Sequence, residues 1–301
     1  MRNSCLFLVL ASVLCSTPVT AQEASVLEAL LRARIAQDTA TVAVVFRDPT
    51  RRQEVQVDAL RRYHAASTMK IPVLVELTRR VDAGDLGWDS TLRVRNEFRS
   101  IVDGSPYRLD PADDSDSTLY ALEGQEVPLS RLARLMITRS SNLATNLILG
   151  RLDPARVNAT AHLLGADSIA ILRGVEDGKA FERGLNNTTT ARDLASLLDA
   201  IAAGRAASRQ GTDSMRAILL AQEFNDGIPA GVPAGVPVAH KTGEITAVAH
   251  DAAIVYPPGR GPYILVILTR GYPERATAAR LMADLSAIVY RWATARPDPH
   301  E

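Results

Sequence analysis

The stretch AVAHDAAIVYPPGRGPYILVIL, residues 247–268, decides the fold. Two apolar runs, 247–256 and 263–268, flank the turn sequence PPGRG at 257–261. Apolar runs on either side of a proline- and glycine-rich turn are typical of two antiparallel strands. The stretch therefore predicts a sheet near the end of the chain.

Strand character also appears just before this stretch and again near the start of the chain. Residues 236–239 form another short apolar run, and 41–46 and 53–57 show strand-like patterning around Asp48-Pro49-Thr50. The early pair predicts a β-hairpin. Strands at both ends indicate one sheet that is assembled from the two ends of the chain.

Between these ends the sequence changes to helical periodicity. Apolar residues recur at three- and four-residue spacing, and glycine follows several of the runs, which is a signal for a helix end. Two more such runs, 24–35 and 276–292, lie nearer the ends of the chain. The helices predicted in the middle are 73–81, 129–137, 143–149, 157–164 and 194–203.

These patterns predict an α/β (α+β) protein with an antiparallel sheet of about five strands, flanked by helices. The sheet domain is discontinuous, with residues 22–60 and 210–301, and residues 61–209 form an inserted helical domain. A cleft is expected between the two domains, where ligand sites are common.

The first residues, 1–21, have the pattern of a cleavable export signal. Arg2 is followed by an apolar run from Cys5 to Cys15, and Val19-Thr20-Ala21 supplies small residues before Gln22. We expect a secreted or periplasmic protein without a stable membrane anchor after cleavage. Both cysteines lie in the signal, so disulfides and cysteine nucleophiles are excluded from the mature chain.

Charge and composition exclude several classes of function. The chain has 34 basic and 34 acidic residues and no basic patch that would follow a nucleic-acid backbone. The five histidines show no His-Glu-x-x-His spacing, so we expect neither a metal nor an organic cofactor. A Gly-x-Ser-x-Gly elbow is also absent, which argues against an α/β-hydrolase. The expected partner is a small-molecule substrate, and the protein is expected to be a monomer.

Lysine is rare, because only Lys70, Lys179 and Lys241 occur in a chain whose positive charge is otherwise carried by arginine. A desolvated lysine can lose its proton and act as a base, whereas arginine stays charged. Two of these lysines belong to short motifs with chemical meaning.

Ser67-Thr68-Met69-Lys70 places a hydroxyl and an amine three residues apart at the start of a predicted helix. Residues at this spacing share one helix face, so the lysine can activate the serine as a nucleophile. Lys241-Thr242-Gly243 follows a predicted strand, and Ser140-Ser141-Asn142 lies at a junction of two helices. Taken singly, each motif has a plain structural interpretation: a helix start for the first, a strand end for the second and a helix N-cap for the third.

The order of the three motifs changes this interpretation. Ser-x-x-Lys, Ser-x-Asn and Lys-Thr-Gly occur together in class A β-lactamases and penicillin-binding proteins, and here 140 − 67 = 73 and 241 − 140 = 101 residues separate them. Residues 136–147 resemble the helix junction of that family, and 238–243 resemble its active-site strand. The chain resembles this family over nearly its whole mature length.

The resemblance implies an acyl-enzyme mechanism. Ser67 would be the nucleophile, Lys70 its base, and Ser140 the donor of a proton to the departing nitrogen. The backbone N–H groups of Ser67 and Glu244 would bind the carbonyl oxygen. The residues expected to bind substrate are Asn142, Asn186, Lys241, Thr242, Gly243 and Glu244.

Release of the acyl group depends on a glutamate that activates water. Glu182-Arg183-Gly184-Leu185-Asn186 matches the Glu-x-x-Leu-Asn loop of class A enzymes, although the loop after Asn186 is shorter here. Glu176 is the competing base. Ser141 also stands where class A enzymes have aspartate, and Arg280 is a candidate for binding the substrate carboxylate.

The resemblance therefore predicts a serine β-lactamase, with antibiotic resistance as the associated role. Two alternatives stay open. One is a DD-peptidase or esterase-like penicillin-binding relative that acts on a peptidoglycan peptide and deacylates β-lactams slowly. The other is a non-catalytic periplasmic binding module.

Overall fold

The computed structural model describes residues 19–295, and their side chains from residue 23 onward. The predicted export signal lies almost entirely outside the described residues, so it stays a prediction. In the described part of the chain, no helix combines the length and the apolar character needed to cross a membrane.

The predicted helices and strands occur in the predicted order, and the described part of the chain also has six short strands between residues 63 and 189 that were not predicted. The α-helices of residues 19–295 are α1 (Val19–Ile35), α2 (Lys70–Asp82), α3 (Leu129–Thr138), α4 (Asn142–Leu152), α5 (Pro154–Leu163), α6 (Gly178–Glu182), α7 (Ala191–Ala202), α8 (Arg209–Leu220) and α9 (Arg275–Thr294). The strands are β1 (Thr41–Asp48), β2 (Gln53–Val57), β3 (Tyr63–His64), β4 (Thr91–Arg93), β5 (Phe98–Arg99), β6 (Pro106–Tyr107), β7 (Glu126–Pro128), β8 (Thr188–Thr189), β9 (Val238–Ile245), β10 (Val248–Val255) and β11 (Tyr263–Arg270).

Five of these strands form the main sheet, in the order β2-β1-β11-β10-β9. Every neighbouring pair is antiparallel, and β1 lies beside β11 with Thr41 opposite Arg270. The sheet is thus built from both ends of the chain, as predicted. The strand predicted at 236–239 is wrong in its bounds, because β9 continues to Ile245 and includes the Lys-Thr-Gly motif.

The sheet separates two hydrophobic cores, because side chains of a strand alternate between its faces. One core contains Phe46, Val255 and Leu265 from the sheet, packed with apolar side chains of α1 and α9. The other contains Val45 and Val266 from the opposite face, packed with helices of the chain's middle segment. In this three-layer arrangement, β9, which carries the Lys-Thr-Gly motif, is an edge strand of the sheet and lies beside the helical layer.

The predicted helices are confirmed, with differences of a few residues at their ends, whereas α6 and α8 were not predicted. Helix α7 belongs to the predicted helical domain, yet it packs against β1, β10 and β11. Helix α8 contacts β9 as well as α2 and α3. The helical segment therefore covers one face of the sheet, and the proposed boundary at residues 209 and 210 stays a prediction.

Candidate active site

Ser67 lies in a short 3-10 helix, Ala66–Met69, directly before α2. Ala66 has a φ of +44° and donates its N–H to Nδ1 of His64 at 3.0 Å. On the other side, β9 passes so close that a Cβ atom on Gly243 would lie 3.0 Å from the backbone nitrogen of Ser67. Gly243 therefore allows the close approach of β9 to the predicted nucleophile.

Lys70 is completely buried at the start of α2. Its Nζ donates to the backbone oxygen of Ser140 at 2.6 Å, to Ser140 Oγ at 3.1 Å and to Asn142 Oδ1 at 2.9 Å. Burial lowers the pKa of Lys70 to about 7, although the negative charges of Asp114 and Glu176 oppose this shift. A neutral amine is thus accessible near neutral pH, as a general base requires.

Lys241 approaches the same serine from β9. Its Nζ donates to Ser140 Oγ at 3.0 Å and to the backbone oxygen of Thr242 at 2.9 Å. Burial lowers the pKa of Lys241 well below its ordinary value, and the nearby charge of Lys70 lowers it further. The structure therefore brings the three predicted motifs together around the Ser140 hydroxyl, which can relay a proton between two amines.

A strained turn holds Ser140 in this position. Its φ of +59° lies in the left-handed region, which is unfavourable for residues with a Cβ atom. Ser141 caps α4 by accepting the Ala144 N–H at 3.3 Å. The stronger anchor is Asp114, whose carboxylate accepts the N–H groups of Asn142 at 2.9 Å and Leu143 at 3.0 Å.

Asp114 is an anchor of this turn that the sequence did not reveal. Its carboxylate, which also accepts the Tyr120 hydroxyl at 2.9 Å, lies at the N-terminus of α4, where the helix dipole favours negative charge. Asp114 lies 28 residues before Asn142 in an acidic loop, and neither its spacing nor its neighbours set it apart.

The two glutamates of the 173–187 segment have different surroundings. Glu182 is exposed at the end of α6 and does not line the cavity beside Ser67. Glu176 does line it, and Asn142 Nδ2 donates to Glu176 Oε1 at 3.3 Å. The structure therefore does not place Glu182 at the cavity. Its side chain, at the C-terminal end of α6, is exposed and is not among the residues that line the cavity.

The environment of Glu176 favours a proton-accepting role. Partial desolvation raises its pKa, and the nearby Asp113 and Asp114 add to the effect, while Arg173 and Lys70 oppose it. A carboxylate with a raised pKa is a stronger base than an ordinary surface glutamate. Glu176 itself is exposed at the mouth of the cavity, where water has access.

The asparagine assignment changes in a similar way. Asn186 Oδ1 accepts from the Arg173 guanidinium at 3.1 Å and does not line the cavity. The next residue, Asn187, is buried against the cavity and donates to Arg173 O at 2.9 Å and to Met69 Sδ at 2.9 Å. The segment that contains the Glu-x-x-Leu-Asn match thus reaches the cavity through Glu176 and Asn187 rather than through Glu182 and Asn186, whose predicted roles stay predictions.

The predicted substrate-carboxylate region contains an arginine, but not Arg280. Arg280 is exposed, donates to Thr277 Oγ1 at 3.1 Å and does not line the cleft. Arg275, the first residue of α9, pairs with Glu244 at 2.7 Å and with Asp226 at 2.8 Å. All three side chains are about half exposed, so an incoming carboxylate can compete for the guanidinium.

The cleft around these groups consists of two adjoining cavities that share Ser67 and Glu244. One, of about 330 Å³, is lined by Asn142 and Glu176 among others. The other, of about 180 Å³, is lined by Ser140, Thr242, Gly243 and Arg275 among others. Ser67 therefore lies between a glutamate-bearing cavity and an arginine-bearing one.

The buried histidines connect structural elements. His240 Nδ1 lies 2.9 Å from Asp251 Oδ1, which links β9 to β10. His250 Nε2 lies 2.9 Å from the His64 backbone oxygen, and burial lowers the pKa of His250 to about 4. Residues 19–295 contain no group of three or more His, Cys, Asp or Glu side chains arranged to hold a metal ion.

Comparison with known proteins decides which family this site represents. The model of the β-lactamase enzyme family matches residues 25–293. The chain belongs to this family. The predicted class, a hydrolase of the β-lactamase type with the corresponding fold, is thereby confirmed.

Individual relatives agree with this assignment. A β-lactamase of Streptomyces lavendulae is 25% identical over 268 residues, which are 86% of this chain and 84% of that protein. A β-lactamase of Streptomyces albus G is 28% identical over 173 residues, and the match covers 56% of this chain and about half of that protein, 55%.

A solved structure of PBP-A is similar with a TM-score of 0.79 and 26% identity, and the match covers 90% of this chain and 97% of that one. A leucine-to-glutamate mutant of PBP-A, with a TM-score of 0.77 and 26% identity over 92% of this chain and 97% of that one, has been solved as an acyl-enzyme complex with penicillin G. The fold of this β-lactamase family member is thus shared with a protein whose mutant is acylated by penicillin.

Proposed function

We propose that this chain is a serine β-lactamase that hydrolyses the β-lactam amide bond through an acyl-enzyme on Ser67. The observation that carries the proposal is the Ser140 hydroxyl, which accepts from the buried amines of Lys70 at 3.1 Å and Lys241 at 3.0 Å. Such a proton-relay cluster beside a serine serves acyl transfer, in which a proton must leave the nucleophile and reach the leaving nitrogen.

In acylation, the neutral amine of Lys70 takes the proton of Ser67 while Oγ attacks the lactam carbonyl carbon. The backbone N–H groups of Ser67 and Glu244 stabilise the negative charge that develops on the carbonyl oxygen. As the C–N bond breaks, Ser140 donates its proton to the departing nitrogen. The cluster replaces that proton through the hydrogen bonds between Ser140 and the lysines.

In deacylation, Glu176 takes a proton from a water molecule, whose oxygen attacks the ester carbon of the acyl-enzyme. Ser67 Oγ then leaves and takes up the proton that Glu176 removed from the water, which restores both groups. The support for Glu176 rather than Glu182 is its place on the cavity wall beside Ser67 and Asn142. A positioned carboxylate of raised pKa contributes rate as a general base.

The substrate carboxylate binds at the other end of the cleft, to Thr242 and Lys241. Arg275 completes this subsite when it exchanges its partner Glu244 for the substrate. Exposed ion pairs of this kind contribute about 0–1 kcal/mol, so the exchange costs little. A carboxylate there fixes the lactam carbonyl opposite Ser67.

Mass spectrometry after mixing with benzylpenicillin tests the proposal. A β-lactamase shows an adduct of substrate mass that appears and disappears while free penicilloate accumulates, and the Ser67→Ala variant shows neither. An adduct that persists for hours would replace the proposal by the DD-peptidase-like alternative. Failure of the wild-type protein to form any adduct would indicate the non-catalytic binding module.

We further propose export of the chain with cleavage before Gln22, on the support of the signal-like sequence 1–21. Expression of the full chain in a Gram-negative host, followed by N-terminal sequencing of the periplasmic fraction, tests this. Recovery only of uncleaved cytoplasmic protein would contradict it.

A further inference from the structure

We infer that the β5–β6 hairpin, residues 98–107, clasps the loop that carries Glu176, and that Asp177 is the positioning residue through which it acts. This inference rests on the proposed deacylating role of Glu176. It assigns a function to a hairpin that contributes no side chain to the cavity beside Ser67.

The central contact is the buried carboxylate of Asp177, which is 2% exposed. Its Oδ1 accepts the Ser100 hydroxyl at 2.9 Å, and its Oδ2 accepts the Ile101 N–H at 2.9 Å. Oδ1 also accepts the Ala180 N–H at 3.1 Å, which caps α6. One side chain, adjacent to Glu176 in sequence, therefore joins the loop to both the hairpin and the following helix.

Three further hydrogen bonds lie on either side of this carboxylate. The Tyr107 hydroxyl donates to the Val175 backbone oxygen at 3.3 Å. On the solvent side, Lys179 Nζ donates to Asp103 Oδ2 at 2.8 Å and to Ser105 Oγ at 2.7 Å. Residues before and after Glu176 are thus attached to the same hairpin, while the Glu176 side chain stays directed to the cavity.

The backbone of Glu176 explains why such attachment is needed. Its φ of +61° is in the left-handed region, which costs about 1–2 kcal/mol for a residue with a Cβ atom. Strained residues of this kind persist only when their surroundings over-determine them. Without the hairpin contacts, the loop can relax to a negative φ, which would rotate the carboxylate away from Asn142.

Asp177→Asn is the decisive variant, because an amide keeps the size of the side chain but presents an NH₂ group to one of its donors. We expect the deacylation rate constant to fall about 10- to 100-fold, since misplacement by about 1 Å can cost that much. The acylation rate constant should change less than about threefold by the same reasoning, because the Ser67 cluster lies on other elements. In steady state, kcat and KM then fall together and kcat/KM is preserved.

Asp193→Asn is the matched control. Asp193 is another buried aspartate at a helix N-terminus, where it exchanges hydrogen bonds with Thr190 at the start of α7. Its replacement lowers stability by the same kind of lost cap but should leave the ratio of the two rate constants unchanged. If Asp177→Asn lowers acylation and deacylation equally, as a general loss of stability would, the clasp is refuted.

Glu176→Gln in the same assay separates the clasp from the proposed function. If that variant deacylates at the wild-type rate, the proposed role of Glu176 is wrong, and the hairpin contacts then have no catalytic group to position. If Glu176→Gln is slow but Asp177→Asn is normal, only the clasp is wrong. Should Asp177→Asn fail to fold, Ser100→Ala removes one hydrogen bond from the hairpin side, and a deacylation rate equal to wild type would then refute the inference.

Discussion

The two halves of the proposed reaction depend on regions of different construction. The acylation cluster of Ser67, Lys70, Ser140 and Lys241 is drawn from four places in the fold, the 3-10 helix, α2, the turn before α4 and β9, and both of its amines are fully buried. The deacylation side depends on Glu176, an exposed residue on a loop, with a single 3.3 Å hydrogen bond to Asn142.

This difference shows where precision comes from in each half. Buried amines with two or three acceptors each have little freedom, so the cluster is fixed by the packing of α2, α4 and β9. The loop has no such packing around its glutamate and depends on contacts made by its neighbours. We therefore expect substitutions in the cluster to abolish acylation and substitutions in the loop to affect mainly the release step.

The largest expected effect is the loss of acylation on removal of the Lys70 amine. Lys70→Met removes the base, and Lys70→Arg restores a positive charge that cannot be deprotonated at working pH. Both variants should lower the acylation rate constant by about 10²–10⁴-fold, the contribution of a general base. Stopped-flow measurement with a chromogenic cephalosporin checks this, and substantial activity in Lys70→Arg would show that the charge alone is sufficient.

The second prediction contrasts the two glutamates of the loop. Glu176→Gln should slow deacylation by about 10²–10³-fold as a general base is lost, so that the penicilloyl-enzyme accumulates. Glu182→Gln is the matched control and should behave as wild type, since that side chain is exposed away from the cavity. Intact-protein mass spectra over time distinguish them, and the reverse pattern would restore the assignment to Glu182.

The same contrast explains what the sequence could predict. The strands of the main sheet and most helices followed from periodicity, because their apolar residues are the buried ones, whereas the order of the strands was not predicted. Helix α8 was missed since Gly211 and Thr212 take buried positions of its face. The prediction ended this strand at residue 239, before the true end of β9. A lysine at 241 looks like the end of a strand in sequence, yet Lys241 is fully buried within β9.

The site residues show the same contrast between the packed cluster and the loop. Ser67, Lys70, Ser140 and Lys241 could be found because motif order constrains groups that pack in the core. Glu182 and Asn186 satisfied a sequence pattern, but neither lines the cavity, whereas Glu176 and Asn187 of the same segment do. Asp114 could not be found at all, because its role comes from a tertiary contact with the backbone of α4.

The third prediction concerns the pH dependence of acylation. With the pKa of Lys70 lowered to about 7, the neutral amine predominates above that pH and the ammonium below it. The rate constant kcat/KM should therefore fall about tenfold per pH unit below 7. The charged groups that face Lys70 are Lys241, Asp114 and Glu176.

Glu176→Gln provides the check on this assignment. Removal of a nearby negative charge destabilises the ammonium form of Lys70, so the pKa of Lys70 falls further. The fall of the acylation rate with decreasing pH then begins at a lower pH. Single-turnover acylation measured from pH 5 to 9 gives the profile. If the pH at which the acylation rate begins to fall rises or does not change, a group other than Lys70 controls acylation.

The smallest expected effect comes from Asp114, which lies on the border between the two regions. Asp114→Asn removes the charge at the N-terminus of α4 and one of the acceptors for Asn142 and Leu143. We expect a stability loss of about 1–2 kcal/mol and an acylation rate about tenfold lower as the Ser140 turn loosens. Ser141→Ala, which removes only the cap at Ala144, should cost about 1 kcal/mol with a smaller effect on acylation. Denaturant unfolding and stopped-flow acylation measure both quantities, and a greater loss of acylation in Ser141→Ala would show that the motif's own serine is the anchor.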